Sequence, residues 1–592
     1  METVTLTIDG KQITVEKGKT VLQAAIEAGV SVPYYCYHPA LGVDGSCRVC
    51  VVRIDKMPKL QTSCSMVCAD GMVVHTQTSD VVQARAGVLE FLLINHPLDC
   101  PVCDKGGECP LQDFSYSFGP NESRMEFPRR VFDGEGVKAD VDFGPTLMLN
   151  RNRCILCTRC VRFMREVDGD AQIGIVDRGA GSEIATFQEE GVHSLLSGNL
   201  MDVCPVGAIT TRDYRFKSRP WDNPDAVDTI CTLCSKGCNI TAWLKAKPEW
   251  AKGSQLIRIT PRLNPDVNGY WMCDIGRFEY HWVEGDERLR KPLLRDDAGL
   301  QQPATWDEAL AAVSGGFAGG ATVLASAHAS NEELFLVQRV ASQIALSWRF
   351  REKPQPETTK FKVPAADAPN ITGARDLGLP VGPGNDGPPD LSALRAEVEA
   401  GRLTSLYVFD PGPPDSLGDV SWIAAARESG QLAFLVFHGA VMCDLARAAD
   451  VVLPGAAWVE KDSTYTNDQG RVQAAARALP LPGDAKDDRE ILLRVARATG
   501  QSLPYQTAAD VRVALADALE HLPAYRDLRT ITFARPVAVG NWLQASNPSE
   551  RWKWDYLFQD LAPVKFEWMR IPETRQAIPL KPIAAGSVTD EE

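Results

Sequence analysis

Apolar and polar positions alternate from Val4 to Val15 and are interrupted at Asp9-Gly10, which predicts two short antiparallel strands joined by a two-residue hairpin turn. Thr20 is placed to cap a helix over Val21 to Ala28, and Gly29 is placed to close it. Strand, strand, helix and a cysteine-bearing loop suggest a β-grasp unit ending near residue 78. Val81 to Ile94 reads as an apolar-rich helix stopped at His96-Pro97. From about residue 95 to 220 the pattern is short and loop-rich, with cysteines as its punctuation.

After Cys273 the texture changes. Thr322 to Ser326, Ser405 to Phe409, Leu432 to Phe437 and Val451 to Leu453 read as buried parallel strands, with helical stretches such as Asn331 to Leu346 between them. That alternation predicts a doubly wound α/β domain. Glu352 to Asp390 is rich in Pro and Gly without a period and reads as a long surface loop. From Asn541 onward, Trp542, Trp552, Trp554, Tyr556, Phe558, Phe566 and Trp568 form an aromatic-rich tail, either wrapped over its own domain or a partner-binding extension.

Length then sets the scale. The chain has 592 residues, enough for roughly four domains and several cores without disulfide staples. Its formal net charge of −15 argues against a nucleic-acid partner, which would require clustered Lys and Arg. No run of apolar residues is long enough for a membrane span, and the N-terminus reads as a strand, not a secretory signal. The 17 cysteines are therefore expected in a reducing compartment, where thiols bind metal more readily than they pair.

Sixteen of the 17 cysteines precede residue 274, and they fall into four constellations. The first is Cys36-x10-Cys47-x2-Cys50-x13-Cys64, with Gly42 and Gly45 in the long loop. It suits a [2Fe–2S] centre, because glycines let backbone N–H groups approach the sulfurs; zinc is the alternative. The second is His96-x3-Cys100-x2-Cys103-x5-Cys109-Pro110, which fits zinc taken alone and, beside other cluster motifs, a [4Fe–4S] cluster with one histidine ligand. The third, Cys154-x2-Cys157-x2-Cys160 with a distant Cys204-Pro205, is the ferredoxin-type [4Fe–4S] run and the most specific of the four. Arg151, Arg153, Arg159, Arg162 and Arg165 surround it, either offsetting cluster charge or forming a solvated basic face. The fourth, Cys231-x2-Cys234-x3-Cys238-x34-Cys273, supplies thiolates for another [4Fe–4S] cluster, again with zinc as the alternative. Cys68 and Cys443 match no pattern and read as buried structural thiols. A series of redox centres makes sense mainly as a wire between donor and acceptor.

The first three constellations, in this order, resemble the N-terminal region of the large iron–sulfur subunit of respiratory complex I, a region also found in iron-only hydrogenases and NAD-linked formate dehydrogenases. The fourth, with Trp271-Met272-Cys273-Asp274-Ile275-Gly276-Arg277-Phe278, is similar to the cluster-binding start of the molybdopterin oxidoreductases. Thr305-Trp306-Asp307-Glu308-Ala309-Leu310, Asn331-Glu332-Glu333 and Ala449-Asp450-Val451-Val452-Leu453-Pro454 to Arg471-Val472-Gln473 continue that likeness.

The resemblance implies an α+β iron–sulfur region followed by a molybdopterin-oxidoreductase-like α/β domain that has kept the fold and lost the pterin. It divides the chain into a β-grasp ferredoxin unit at 1–78, a His/Cys cluster module at 79–119, a ferredoxin-like module at 120–220, a cluster segment at 221–280, the α/β domain at 281–540 and the tail at 541–592. It implies one [2Fe–2S] and three [4Fe–4S] clusters held by the fifteen cysteines and His96, the fourth cluster lying off the main electron route. Electrons would arrive from a NADH/FMN flavoprotein subunit, with a small [2Fe–2S] subunit and quinone-side hydrophilic subunits as further partners. The assembly would sit on the cytoplasmic face of the inner (plasma) membrane, attached only through partners.

The alternative is the iron–sulfur subunit of a soluble NAD-linked hydrogenase or formate dehydrogenase complex; as catalysts in their own right, the rival likenesses lack parts. An iron-only hydrogenase would need four more cysteines after the ferredoxin region, and no cysteine occurs between Cys273 and Cys443. That gap also removes the metal-binding residue of a formate dehydrogenase. Gly382-Pro-Gly384-Asn-Asp-Gly387 follows no predicted strand, and Gly18-Lys19-Thr20 has Ile13 where a P-loop glycine belongs, so NADH and flavin are expected on another chain.

Overall fold

The computed structural model of the chain describes residues 2–120, 122–126, 138–223, 225–245, 253–317, 321–534 and 537–538; the aromatic tail lies outside them. Strands Thr3–Ile8 and Lys11–Glu16 pair antiparallel across a turn whose Asp9 and Gly10 both take positive φ, 46° and 82°, as a tight hairpin demands. Thr20 and Gln23 form a reciprocal capping box on helix Val21–Glu27, and Gly29 follows at φ 72°. Strands Val73–His75, Val51–Ile54 and Gln61–Thr62 complete a five-stranded β-grasp sheet in which Val73–His75 runs parallel to the first strand. Helix Ser79–Ile94 then leads into the loop-rich region, where a three-stranded sheet of Ile209–Thr211, Leu147–Leu149 and Val141–Asp142 is the main regular scaffold.

Strands Asp225–Ile230, Asn239–Leu244 and Leu256–Pro261 form an antiparallel sheet with Val537–Ala538 at its edge. The second half is built on a seven-stranded sheet. Ala341–Ser347, Ala321–Ser326, Ser405–Asp410, Phe434–Gly439 and Val451–Pro454 are parallel neighbours in that order, and Leu293–Arg295 with Gln301–Pro303 add an antiparallel edge. Helices cover both faces, giving separate apolar cores on either side, as a doubly wound sheet requires.

Two expectations are corrected. The helix from Asn331 ends at Val340, and Ala341–Ser347 becomes a parallel edge strand on Ala321–Ser326. The apolar run is continuous in sequence, but pairing with the open sheet edge outweighs helix propensity, and Ser342 Oγ donates to Ala321 O across the junction. Residues 352–390 are not a surface loop. Phe361, Val363, Ala366, Ala368 and Ile371 are buried, helix Ile371–Asp376 interrupts the segment, and Lys360 N donates to Val167 O at 2.8 Å, tying it to the cysteine-rich half.

Candidate functional site

The structure brings the cysteines of each constellation together into a nest of its own, while His96 lines a neighbouring hollow with Cys154. Cys36, Cys50 and Cys64 are buried and Cys47 is half-buried in the loops between the β-grasp helix and strand Val51–Ile54 and just beyond strand Gln61–Thr62. Hydrogen bonds from the Cys47 and Cys64 side chains, with the N–H groups of Cys47 and Gly45, hold the Cys36 thiol far below its usual range. Gly45 is at φ 79°, so the backbone approach expected of the glycine loop is present. Cys50 is lowered to about 7, first by Cys64 and against its burial.

Cys103 and Cys109 are buried and Cys100 is exposed around the turn Cys100–Val102. Cys109 caps helix Pro110–Phe118, and Leu111 and Gln112 offer N–H groups to its sulfur, although burial still pushes the thiol up to about 12. His96 lies two residues past helix Ser79–Ile94. Burial, then the charge of Arg153, pushes its pKa down to about 4, leaving the imidazole neutral, the form that ligates a metal. The same Arg153 acts on Cys103, so the histidine and this sulfur share a neighbour.

Cys154, Cys157, Cys160 and Cys204 line a single apolar hollow with Leu149, Ile155, Ile184 and Val206. The loop that brings them there holds Leu156 and Thr158 at φ 51° and 62°, and Leu156 N points at Cys154 Sγ at 3.4 Å. Burial raises Cys157 to about 11 and Cys154 to about 12, and the neighbouring sulfurs act in the same direction.

Cys231, Cys234 and Cys238 occupy the connection between strands Asp225–Ile230 and Asn239–Leu244, while Cys273 caps helix Asp274–Phe278. All four are buried, and burial raises all four thiols. The hairpin Ser463–Thr466/Val472–Ala475 of the α/β half clasps this loop: Gln473 Nε2 donates to Gly237 O at 2.9 Å and Asn467 Nδ2 to Lys236 O at 3.2 Å.

Burial raises most of the thiols outside the first nest, yet each nest offers its sulfurs N–H donors that only thiolates would use well. Two glycines leave room for sulfur: a Cβ at Gly276 would stand 2.8 Å from Cys231 Sγ, and one at Gly207 would collide with Cys103 Sγ. The donor sets therefore fit multi-iron clusters, which bind deprotonated cysteine and whose charge is offset by such hydrogen bonds. Among the described residues no three His, Cys, Asp or Glu side chains converge on a position for a lone metal ion. The two remaining thiols stay outside the nests: Cys68 is buried beside the β-grasp core, and Cys443 is half-buried where it caps helix Asp444–Ala448.

Sequence reading missed the roles of Gly207 and Gln473, although Gly207 falls just after the Cys204-Pro205 signal. It also left open the arginines: Arg153, Arg159 and Arg162 are buried, so a solvated basic face is excluded for them.

Nests of this kind strung through one half of a chain define an electron-carrying iron–sulfur protein. Family models match along that half and beyond it: a 2Fe-2S iron–sulfur cluster binding domain at 1–79, the NADH-ubiquinone oxidoreductase-G iron–sulfur binding region at 85–124, the ferredoxin-like domain of NADH-quinone oxidoreductase subunit 3 at 144–210, and molybdopterin oxidoreductase at 385–498. The 78 kDa subunit of the mitochondrial NADH-ubiquinone oxidoreductase of Candida albicans is 31% identical over 88% of this chain and 86% of its own. A NADH-quinone oxidoreductase subunit of Rickettsia bellii is 31% identical over 83% of this chain and 86% of its own, and one of Streptomyces coelicolor is 43% identical over 52% and 35%. One chain of a solved NAD+-reducing [NiFe]-hydrogenase aligns at 30% identity over 37% of this chain and 93% of that one, with a TM-score of 0.33. The chain belongs to the family of the large iron–sulfur subunit of NADH-quinone oxidoreductase, complex I, and is an electron-transfer subunit of that enzyme. No helix among the described residues is long and apolar enough to cross a membrane.

Proposed function

We propose that the four nests hold one [2Fe–2S] and three [4Fe–4S] clusters. Cys36, Cys47, Cys50 and Cys64 take the first; His96, Cys100, Cys103 and Cys109 the second; Cys154, Cys157, Cys160 and Cys204 the third; Cys231, Cys234, Cys238 and Cys273 the fourth. The observation that carries this is the hollow lined by all four cysteines of the third nest, with a backbone N–H turned toward one of its sulfurs. Clusters bound there supply one-electron carriers, and the chain's own work is to fix their spacing, exclude water and set the surrounding charge.

The first three nests adjoin one another. Cys109 Sγ lies 3.7 Å from Pro205 O, which joins the second nest to the third, and buried Tyr35 feels the sulfurs of both Cys109 and Cys47. The α/β domain carries no molybdopterin in this reading. The space past the carboxyl ends of its parallel strands, where such folds bind ligands, is packed with the protein's own polar side chains: His328, Ser416 and Asn370 are all buried there. NADH and FMN belong to a flavoprotein partner, with a small [2Fe–2S] subunit and quinone-side hydrophilic subunits completing the route on the cytoplasmic face of the membrane.

Analysis of iron and labile sulfide should give about 14 iron atoms per chain, with zinc at trace level. In low-temperature EPR, His96→Ala should abolish or convert one cubane signal and leave the ferredoxin-type signal intact. Survival of every signal unchanged would remove His96 from the ligand set.

A further inference from the structure

Eight arginines are buried in the described residues, and the way their charge is answered divides them. Arg153, Arg258, Arg277, Arg288 and Arg489 each pair with a carboxylate: Asp99, Glu108, Asp202, Glu460 and Asp487 respectively. Arg85, Arg159 and Arg162 have no carboxylate within salt-bridge distance among the described residues. All three border cysteine nests: Arg85 feels the Cys50 sulfur and then the Asp9 carboxylate, Arg159 feels the sulfurs of Cys157, Cys204 and Cys36, and Arg162 donates to the carbonyl of Cys36.

The pair on helix Arg159–Phe163 reaches across two modules. Arg159 donates from Nη2 to Tyr37 O at 2.5 Å and from Nη1 to Val203 O at 3.4 Å, so it touches the residue after Cys36 and the residue before Cys204. Its Nε is buried with no partner. Arg162 Nη1 donates to Leu41 O at 2.9 Å and Gly42 O at 3.3 Å. Carbonyl oxygens solvate a guanidinium without neutralising it. A buried cation left in that state is strongly unfavourable unless an anion lies close by.

We propose that Arg159, supported by Arg162, is the shared counter-ion of the first and third cysteine nests, a positioning residue that sets the reduction potentials of both clusters together. This rests on the cluster assignment above. Four thiolates around an iron–sulfur core leave a net negative charge, and reduction adds one electron to it. A fixed guanidinium between the two sites stabilises each reduced form and raises both potentials, while its hydrogen bonds hold the 36–42 loop against the third nest.

The test is redox-poised, low-temperature EPR on the purified complex. Arg159→Gln should lower the midpoints of both the first-nest [2Fe–2S] and the third-nest [4Fe–4S] signals by at least tenfold in equilibrium constant, about 59 mV for one electron. Arg159→Lys, which keeps the charge, should restore at least half of that shift. Arg165→Gln should move neither, since that side chain is 62% exposed and lies against Glu166. Unmoved midpoints in Arg159→Gln with both signals present, or movement of one alone, would overturn the shared role. If Arg159→Gln fails to retain its clusters, Arg162→Gln carries the test: lowered first-nest and third-nest midpoints together support the shared role, and a shift in neither or in one alone overturns it. Absence of either signal from the unmodified complex would instead defeat the cluster assignment itself.

Discussion

The two halves of the molecule answer backbone strain in opposite ways, and the three buried arginines without a carboxylate partner among the described residues, Arg85, Arg159 and Arg162, all lie in the cysteine-rich half. Eight non-glycine residues in the described chain have positive φ, and seven of them, among them Arg48, Leu156 and Thr158 in the cysteine loops, precede residue 217; Asp415 alone lies in the α/β half. Strained backbone persists only where its surroundings over-determine it: Asp9 is answered by its hairpin turn, whereas Arg48, Leu156 and Thr158 sit in the loops that carry the candidate cluster ligands. The α/β half has the reverse character. Its sheet is continuous, its helices Trp306–Gly316, Asn331–Val340, Asp488–Ala498 and Ala508–Ala518 carry side-chain N-caps, and its ionic core pairs internally: Lys461 Nζ lies 2.5 Å from Asp488 and 2.6 Å from Glu333, and His438 Nε2 is 2.9 Å from the same aspartate. One half is folded around something it binds; the other satisfies itself.

Removal of iron tests that contrast most severely. Where a metal site does not exist in the unfolded chain, binding is folding free energy, on the order of 10 kcal/mol for a structural zinc and of comparable weight for a cluster. Chelation under reducing conditions should therefore abolish the calorimetric transition of the cysteine-rich half and leave that of the α/β half nearly in place. Two transitions surviving chelation together would mean that the nests fold without their metal.

The next largest effect lies within the ionic cluster. Lys461→Met leaves Asp488 and Glu333 buried without their cation, which should cost about 3–5 kcal/mol. Only the α/β transition should fall, with the EPR signals of the assembled complex unchanged. If the cluster signals of the first three nests disappeared with it, the two halves would not be energetically separate.

The contrast also explains what the sequence could disclose. Cysteine spacing names the ligands because a cluster demands particular donors at short intervals, and Asp9-Gly10, Thr20 and Gly29 announce their turn and caps because each meets a local steric or hydrogen-bonding requirement. The parallel strands were legible as unbroken apolar runs. What stayed hidden is non-local. Ala341–Ser347 became a strand because an open sheet edge stood beside it, and residues 352–390 became interior because both halves close over them, with Thr359 Oγ1 donating to Asp168 O. Nothing near Arg159 in sequence states that Tyr37 and Val203 would supply its acceptors. Spacing identifies what a residue can bind, whereas tertiary packing decides which charges meet.

Asp410 offers the finest test of the claim that the α/β half satisfies itself, because it is the place where that satisfaction is incomplete. Its carboxylate ends strand Ser405–Asp410, is 8% exposed, and accepts from Ser416 Oγ and from Gly412 N, the latter at 3.1 Å, with no cation in contact among the described residues. Burial raises its pKa to about 6, against about 3.9 for an unfolded aspartate. Between about pH 4 and pH 6 the folded state therefore holds more protons than the unfolded one, and stability falls as pH rises through that window. At about 1.4 kcal/mol per pKa unit the loss reaches about 2–3 kcal/mol and is complete above the folded value. Asp410→Asn keeps the shape and removes the ionisation, so its α/β transition should lack this slope, starting up to about 1 kcal/mol below the parent at pH 4 and overtaking it by about pH 7. Parallel stability curves for the two proteins across that range would show that Asp410 is as well answered as Lys461, and that the second half carries no uncompensated charge at this position.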